Sequence, residues 1–168
     1  MAKNNEFSKK EKSNTDLTEK VLCVNRCSKV VKGGRKFSFS ALILVGDGKG
    51  RIGYGFAKAN ELTDAIRKGG EAARKNMITC PMEGTTIPHE ILVQWDGATL
   101  LLKPAPVGSG VIAGSKVRAV LESAGIEDVM AKNLGRNNNP INQVKATFEA
   151  IKRLSSREEI KKKRGLHA

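Results

Sequence analysis

The hydrophobic and polar positions divide the chain into segments of different period. Residues 1–16 carry charges and amides, one lone Phe7 and no repeat, which predicts a disordered arm. From Leu17 to Val31 the pattern leans to β-structure: Val21, Leu22, Cys23 and Val24, then Val30 and Val31, flank the stretch from Arg26 to Lys29. Phe37 to Val45 is the clearest strand. Phe37, Phe39, Ala41, Ile43 and Val45 share one face at period two, and Ser38 and Ser40 lie on the other with Leu42 and Leu44. Its first half is therefore expected to have one wet face, and its second half to be covered on both. In Arg51 to Lys58, bulky Ile52, Tyr54 and Phe56 alternate with Gly53, Gly55 and Ala57. A face so bare admits a close backbone, either that of the following helix or that of a nucleic-acid strand.

Helical period follows. Asn60 can cap a helix running to about Asn76, with Leu62, Ala65, Ile66, Gly69, Ala72 and Ala73 as its buried stripe and Arg67, Lys68, Arg74 and Lys75 outside. Gly69 and Gly70 each cost ~1 kcal/mol relative to alanine in a helix, read here as tolerance for close packing. Thr79 to Pro88 breaks the pattern and marks a boundary. Ile91 to Trp95 and Thr99 to Lys103 form a hairpin across Asp96-Gly97. Pro104 to Gly114 is a loop opening a helix that Ser115 caps, that buries Val117, Val120, Leu121 and Ala124, and that stops at Gly125. Asp128 to Leu134 is a short strand. Asn139-Pro140 starts the last core helix, burying Ile141, Val144, Phe148, Ile151 and Leu154. Ser156 to Glu159 is a capping box for a final basic turn or two. The fold class is α+β with two small domains: a β-β-β-α domain over 17–80, an α/β domain over 81–155, and a basic helical tail over 156–168.

Charge changes the picture more than composition does. The chain has 30 Lys and Arg against 17 Asp and Glu in 168 residues, net +13. Such a balance points to a polyanion, most often nucleic acid and less often an anionic membrane, against the plainer reading of a soluble protein that is merely basic. Residues 21–90 carry twelve positive charges and six negative, and 151–168 carry seven and two, whereas 91–150 carry six and five. The basic surface thus belongs to the first domain and the tail. Within it, Arg26, Lys29, Lys32, Arg35 and Lys36 surround the turn Lys32-Gly33-Gly34-Arg35 with no acid among them. A hairpin with a cationic tip bare of side chains suits a crevice lined with phosphates, where contacts supply affinity and register rather than base readout. A solvated basic turn is the plainer alternative.

Three cysteines, Cys23, Cys27 and Cys80, form no C-x-x-C spacing. With no signal-peptide pattern and no apolar run near ~18 residues, free thiols in a reducing cytoplasm are expected. Cys23 and Cys27 would lie ~13 Å apart along one strand, too far to share a metal, and read as core residues. Gly48 to Gly53 matches G-x-G-x-x-G but joins two strands, whereas a dinucleotide site needs it to open a helix. Gly108 to Ala113 also resembles such a loop, lies before a helix and has Asp128 downstream; its backbone N–H groups suit either an RNA phosphate or packing. His89 and His167 are isolated and read as solvated, and no carboxylate pair, nucleophile set or metal-spaced cluster occurs. No enzyme, cofactor, metal or small-molecule substrate is expected.

Many motifs in order resemble one family. Val24 to Lys29, Val31 to Arg35, Phe37 to Phe39, Val45 to Gly48, Gly53 to Gly55, Ala57 to Ala59 and Arg74 to Met77 are similar to bacterial small-subunit ribosomal protein five. So are Gly108 to Gly114, Arg118 to Glu122, Asn139 to Asn142 and Lys163 to Gly165, so that the likeness covers about residues 16–165. The resemblance implies a first domain like a double-stranded-RNA-binding domain without its first helix, and a second with a left-handed βαβ crossover. It implies binding to 16S ribosomal RNA, contacts with ribosomal proteins four and eight near the messenger-RNA entry, and roles in assembly and decoding accuracy. It places Ser28, Lys29, Lys32, Gly33, Gly34 and Arg35 at RNA near the spectinomycin site. Arg26, Lys36, Lys49, Arg51, Gly53, Tyr54, Gly55 and Lys58 complete the expected RNA-binding set. Gly108, Ser109, Gly110, Gly114, Lys116 and Arg118 are expected to touch protein four. A free-standing double-stranded-RNA-binding regulator is the alternative, which the near-neutral second domain disfavours; a small phosphotransferase using the Gly108 loop is a third.

Overall fold

Alternation along three segments builds an antiparallel sheet from Thr18–Val31 (β1), Gly34–Gly46 (β2) and Arg51–Ala59 (β3), with the two-residue Ile78–Thr79 (β4) added to the start of β3. The computed structural model describes residues 17–165; the expected arm at 1–16 and the end of the tail lie outside the described residues. Leu62–Lys75 (α1) covers the face that carries Ala41, Ile43 and Val45, meeting them with Ala65 and Ala73. The opposite face, with Leu42, Leu44, Leu22 and Ile52, is covered by the second module. Double coverage of the second half of β2 is as the sequence predicts, and Leu42 to Leu44 are at most 1% exposed.

The second sheet runs in the order β5 (Ile91–Trp95), β6 (Ala98–Pro104), β8 (Val129–Asn133), β7 (Val111–Ile112), and β7 and β8 are parallel. The connection between them is the helix α2 (Ser115–Ala124), a βαβ crossover. Pro140–Arg153 (α3) packs on β5 and β6 and against α2. Arg157–Lys163 (α4) follows. Asp96 and Gly97 both adopt positive φ (48° and 81°), as a two-residue hairpin turn requires. The Asn139 side chain accepts from the Ile141 N–H with Pro140 at the first helical position, and Ser156 accepts from the Glu159 N–H, the serine half of the expected capping box.

Leu22, Leu42, Leu44 and Ile52 of the first sheet form one hydrophobic core with Val120, Leu121, Phe148 and Ile151 of the second module. Tyr54 meets Phe148 edge-on at 4.6 Å between ring centroids. Polar links follow the same seam. The Gly48 and Gly50 N–H groups donate to the carbonyls of Ser123 and Ala124 at the end of α2 (3.2 and 2.8 Å). Lys116 donates to the Leu22 carbonyl at 2.6 Å, beside the bulge that interrupts β1 between Val21 and Cys23. Lys20 pairs with Glu122.

Several local expectations are corrected. The cap of α1 is Glu61, without a side-chain hydrogen bond, rather than Asn60; that of α2 is Gly114 rather than Ser115. Leu62 is 38% exposed, and Gly70, not foreseen, lies in the buried stripe of α1. The loop from Pro104 to Gly114 contains β7, and β8 starts after Asp128. In the first half of β2 the wet side chain is Phe37, at 45% exposed, and Ser40 is buried. The reason is the position of α1: it begins just after Ala59, which pairs with Phe39, so the helix does not reach over Phe37. Cys23 and Cys27 are half-buried rather than core; Cys80 is buried, and that burial pushes its thiol up to about 11. His89 is not simply solvated. Its Nε2 accepts from the Ser155 N–H and its Nδ1 lies 2.9 Å from the Glu90 carbonyl, tying the start of the tail to the segment before β5.

Candidate nucleic-acid interface

β2 pairs with β3 only from Phe39 onward, so β1 and β2 continue alone as a two-stranded ribbon to their turn. Gly34 lies five positions along the strand from Phe39, which at strand spacing is a projection of roughly 17 Å. The turn is Lys32-Gly33, closed by the pair Val31 and Gly34, and Gly33 adopts φ +89°, a left-handed conformation that glycine takes without strain. The register sorts the side chains. Lys29 stands directly opposite Lys36, and Lys58 extends the same face beyond Ser40. Arg26, Ser28, Val30, Arg35, Phe37 and Phe39 share the other.

Like charges directly opposite on a sheet repel. Among the described residues, no carboxylate lies within ion-pair distance of Lys29, Lys32, Arg35 or Lys36, whereas Lys20, Arg51, Arg74, Lys103 and Arg153 each have one and Arg67 has two. The ribbon is thus a cationic spur whose charges the described residues leave unbalanced.

Other expected RNA contacts fall elsewhere. Gly53 and Gly55 are buried: a Cβ at Gly53 would collide with the Ala73 carbonyl, and one at Gly55 with the Gly69 carbonyl. The bare face of β3 serves α1, which corrects the assignment of these glycines to RNA. Tyr54 is half-buried against Phe148. Lys49 and Arg51 are exposed at the far end of β3, seven residues from Lys58 along the strand or more, and so apart from the ribbon. The Asp47 carboxylate receives the Arg51 guanidinium at 2.8 Å and the N–H groups of Lys49 and Arg51. Burial pushes that carboxyl up, but these donors outweigh it and hold it below the ordinary range. Phe37 stands exposed on the spur beside these cations, although its period-two pattern predicts a place in a core stripe.

In the second module the Gly108–Gly110 loop is already engaged with an anion. Asp128, 3% exposed, accepts from the Gly110 N–H at 2.9 Å and the Thr85 hydroxyl at 2.8 Å. A nest of N–H groups filled by a carboxylate has no vacancy for a phosphate, so Asp128 takes the place of one in shaping the loop. Gly114 and Arg118 are exposed, while the Lys116 ammonium is committed to Leu22, which corrects its place among outward contacts.

The model of ribosomal protein S5, N-terminal domain, matches residues 17–81, and that of ribosomal protein S5, C-terminal domain, matches residues 93–164. The chain belongs to the ribosomal protein S5 family. It is 82% identical over 168 residues to small ribosomal subunit protein uS5 of Protochlamydia amoebophila, covering 99% of this chain and 100% of that one. With the proteins of the same name from Chlamydia abortus and Chlamydia trachomatis serovar D it shares 68% over 155 residues and 63% over 161. These matches cover 92% of this chain and 93% of the relative for the first, and 95% and 97% for the second. The family is a structural, non-enzymatic one, and the Gly48 to Gly53 motif accordingly joins β2 to β3 and opens no helix.

Within this S5 chain the Asp128 contact carries a pH signature. Hydrogen bonds from the Gly110 N–H and then the Thr85 hydroxyl hold its carboxyl below the ordinary aspartate range, with the Gly108 and Ser109 N–H groups adding to them. A carboxyl lowered on folding stabilises the fold above its unfolded value, near 4, and loses that contribution as pH falls through the folded value. Thermal melts from pH 7 to pH 3 are expected to show a shallower acid decline for Asp128→Asn than for the wild type, from a lower starting point at pH 7. Identical acid limbs would mean that the loop is not held by this carboxylate.

Proposed function

We propose that this chain is a non-catalytic structural constituent of the small ribosomal subunit, working in the cytoplasmic ribosome. The relatives that match it end to end carry that subunit in their names. In the finer reading, the β1–β2 ribbon binds 16S ribosomal RNA, and Arg26, Ser28, Lys29, Lys32, Gly33, Gly34, Arg35, Lys36 and Lys58 line that contact. Lys49 and Arg51 meet RNA at a separate place. The single observation that carries the RNA reading is the row of uncompensated cations on the ribbon, with Lys29 facing Lys36. Their repulsion is relieved when phosphates come between them, and the counterions released add to the affinity.

The surface of Gly108, Ser109, Gly110, Gly114 and Arg118 faces a protein, ribosomal protein four, and protein eight is a second neighbour. Val107, 85% exposed beside this loop, suits a protein contact better than an RNA one. Position near the messenger-RNA entry, and support of assembly and decoding accuracy, belong to the same reading.

Sucrose-gradient fractionation of a cell lysate, repeated after a high-salt wash, tests it. Loosely held phosphate binders wash off because their affinity falls steeply with ionic strength. Retention on the small subunit at about one copy each is the expected outcome. Loss on washing, or no co-sedimentation at all, would replace the structural role with that of a free double-stranded-RNA-binding regulator.

A further inference from the structure

The ribbon's two faces differ in chemistry as well as in charge. One face carries the lysines, Lys29 and Lys36, and is continued by Lys58. The other carries both arginines and both aromatics: Arg26 pairs across the strands with Phe39, Ser28 with Phe37, and Val30 with Arg35. Lysine is a hydrated point charge suited to phosphate, whereas arginine and aromatic rings offer flat surfaces on which bases stack.

On that second face the Arg26 guanidinium lies over the Phe37 ring, 3.7 Å from its centroid. Phe37 is nevertheless 45% exposed. With one side of the ring under a guanidinium, that exposure falls on the other side and the outer edge. Phe39, one pair nearer the sheet, is half-buried, and α1 starts level with it, so the open platform is confined to Phe37. Arg26 has no carboxylate partner among the described ion pairs, so its charge remains available to the same ligand.

We propose that the free side of the Phe37 ring, backed by Arg26, stacks on an unpaired base of the ribosomal RNA, while the lysine face holds phosphates. The inference rests on the RNA reading of the ribbon given above and adds to it the class of ligand each face takes: a flat nucleobase on one, the sugar–phosphate backbone on the other. A base held this way has left its own stack, so the target is a single-stranded or bulged nucleotide and not the interior of a duplex.

Stacking and phosphate contacts separate by their response to salt. Counterion release scales with the phosphates neutralised, and base stacking adds affinity without changing that slope. The measurement is equilibrium binding of the labelled full-length chain to small-subunit particles reconstituted without it, across a potassium chloride series. Phe37→Leu is expected to weaken binding roughly tenfold with an unchanged salt slope. Lys29→Ala combined with Lys36→Ala should weaken it and flatten the slope by roughly one per lysine. In the doubly substituted Phe37→Trp, Trp95→Phe chain, affinity should be kept and the indole emission quenched on binding. Thermal melting of each free variant controls for loss of the ribbon. Wild-type affinity for Phe37→Leu, or an unquenched indole in the tightly bound Phe37→Trp, Trp95→Phe chain, would overturn the stacking assignment alone. If the double lysine variant also binds with wild-type affinity and slope, the RNA reading of the ribbon falls with it.

Discussion

Replacing Gly55 by alanine is expected to lower the stability of the free protein by about 3 kcal/mol, the upper part of the usual range for overpacking. The added methyl would be driven into the Gly69 carbonyl and against the Ala73 amide, both of them backbone of α1. No rotamer change relieves such a clash; the helix must lift from β3, and Ala65 and Ala73 would then lose their fit on Ile43 and Val45. For a chain of this length, a loss of that size lowers the melting temperature by roughly 6–12 °C. Gly34→Ala is the matched control. Its added carbon meets nothing within 4 Å and its backbone is not left-handed, so its melting temperature should stay within about 2 °C of wild type. Equal melting of the two variants would mean that α1 does not rest on the bare face of β3, and would return that face to RNA.

The second large effect concerns binding and leaves folding alone. Lys32 and Arg35 flank the two glycines of the tip, are exposed, and have no ion-pair partner among the described residues. Lys32→Ala with Arg35→Ala removes side chains that touch no core, so the melting temperature should hold or rise slightly as repulsion at the tip falls. Affinity for small-subunit particles lacking the chain should drop by roughly 10- to 100-fold at moderate salt, and the salt slope should flatten by about two. Cells carrying only this variant should assemble small subunits poorly or respond differently to spectinomycin. Wild-type assembly together with a wild-type drug response would remove the tip from the interface.

These two cases show which parts of the molecule the sequence could disclose. Where a residue's own chemistry fixes the local backbone, the sequence sufficed. Asp96-Gly97 makes its hairpin turn, Asn139 and Ser156 make their caps, and Gly125, at φ 86°, ends α2. Where the outcome depended on what lay across from a residue, it did not. The alternation of Gly53, Gly55 and Ala57 announces a close approach, yet nothing local says whether a helix or a nucleic acid approaches. Phe37 keeps the period of Ile43 and Val45, but α1 begins too late to cover it, a matter of where a helix starts on a distant segment. Lys116 has the composition of a surface contact, and only the fold brings the Leu22 carbonyl to its ammonium. The candidate site divides in the same way. The charge run from Arg26 to Lys36 is readable as a cluster, whereas its sorting into lysine and arginine–aromatic faces requires the β1–β2 register.

The fastening of α2 gives the ribbon a mechanical property. That helix is tied to the first sheet near both ends: Lys116 grips the Leu22 carbonyl at the β1 bulge, and the carbonyls of Ser123 and Ala124 hold the turn at Gly48 and Gly50. Leu22 lies on the strand that carries the spur, four residues before Arg26, where the ribbon leaves the sheet, and nine residues from Val31, or roughly 30 Å of strand. The arrangement couples α2, through the bulge, to the strand that continues into the ribbon. A rotation of only one degree about that point carries the tip through about half an ångström over such a length. Pressure on the surface around Gly114 and Arg118 is therefore expected to be felt at the tip, at Lys32 and Gly33, and a chain with Lys116 shortened to transmit less of it.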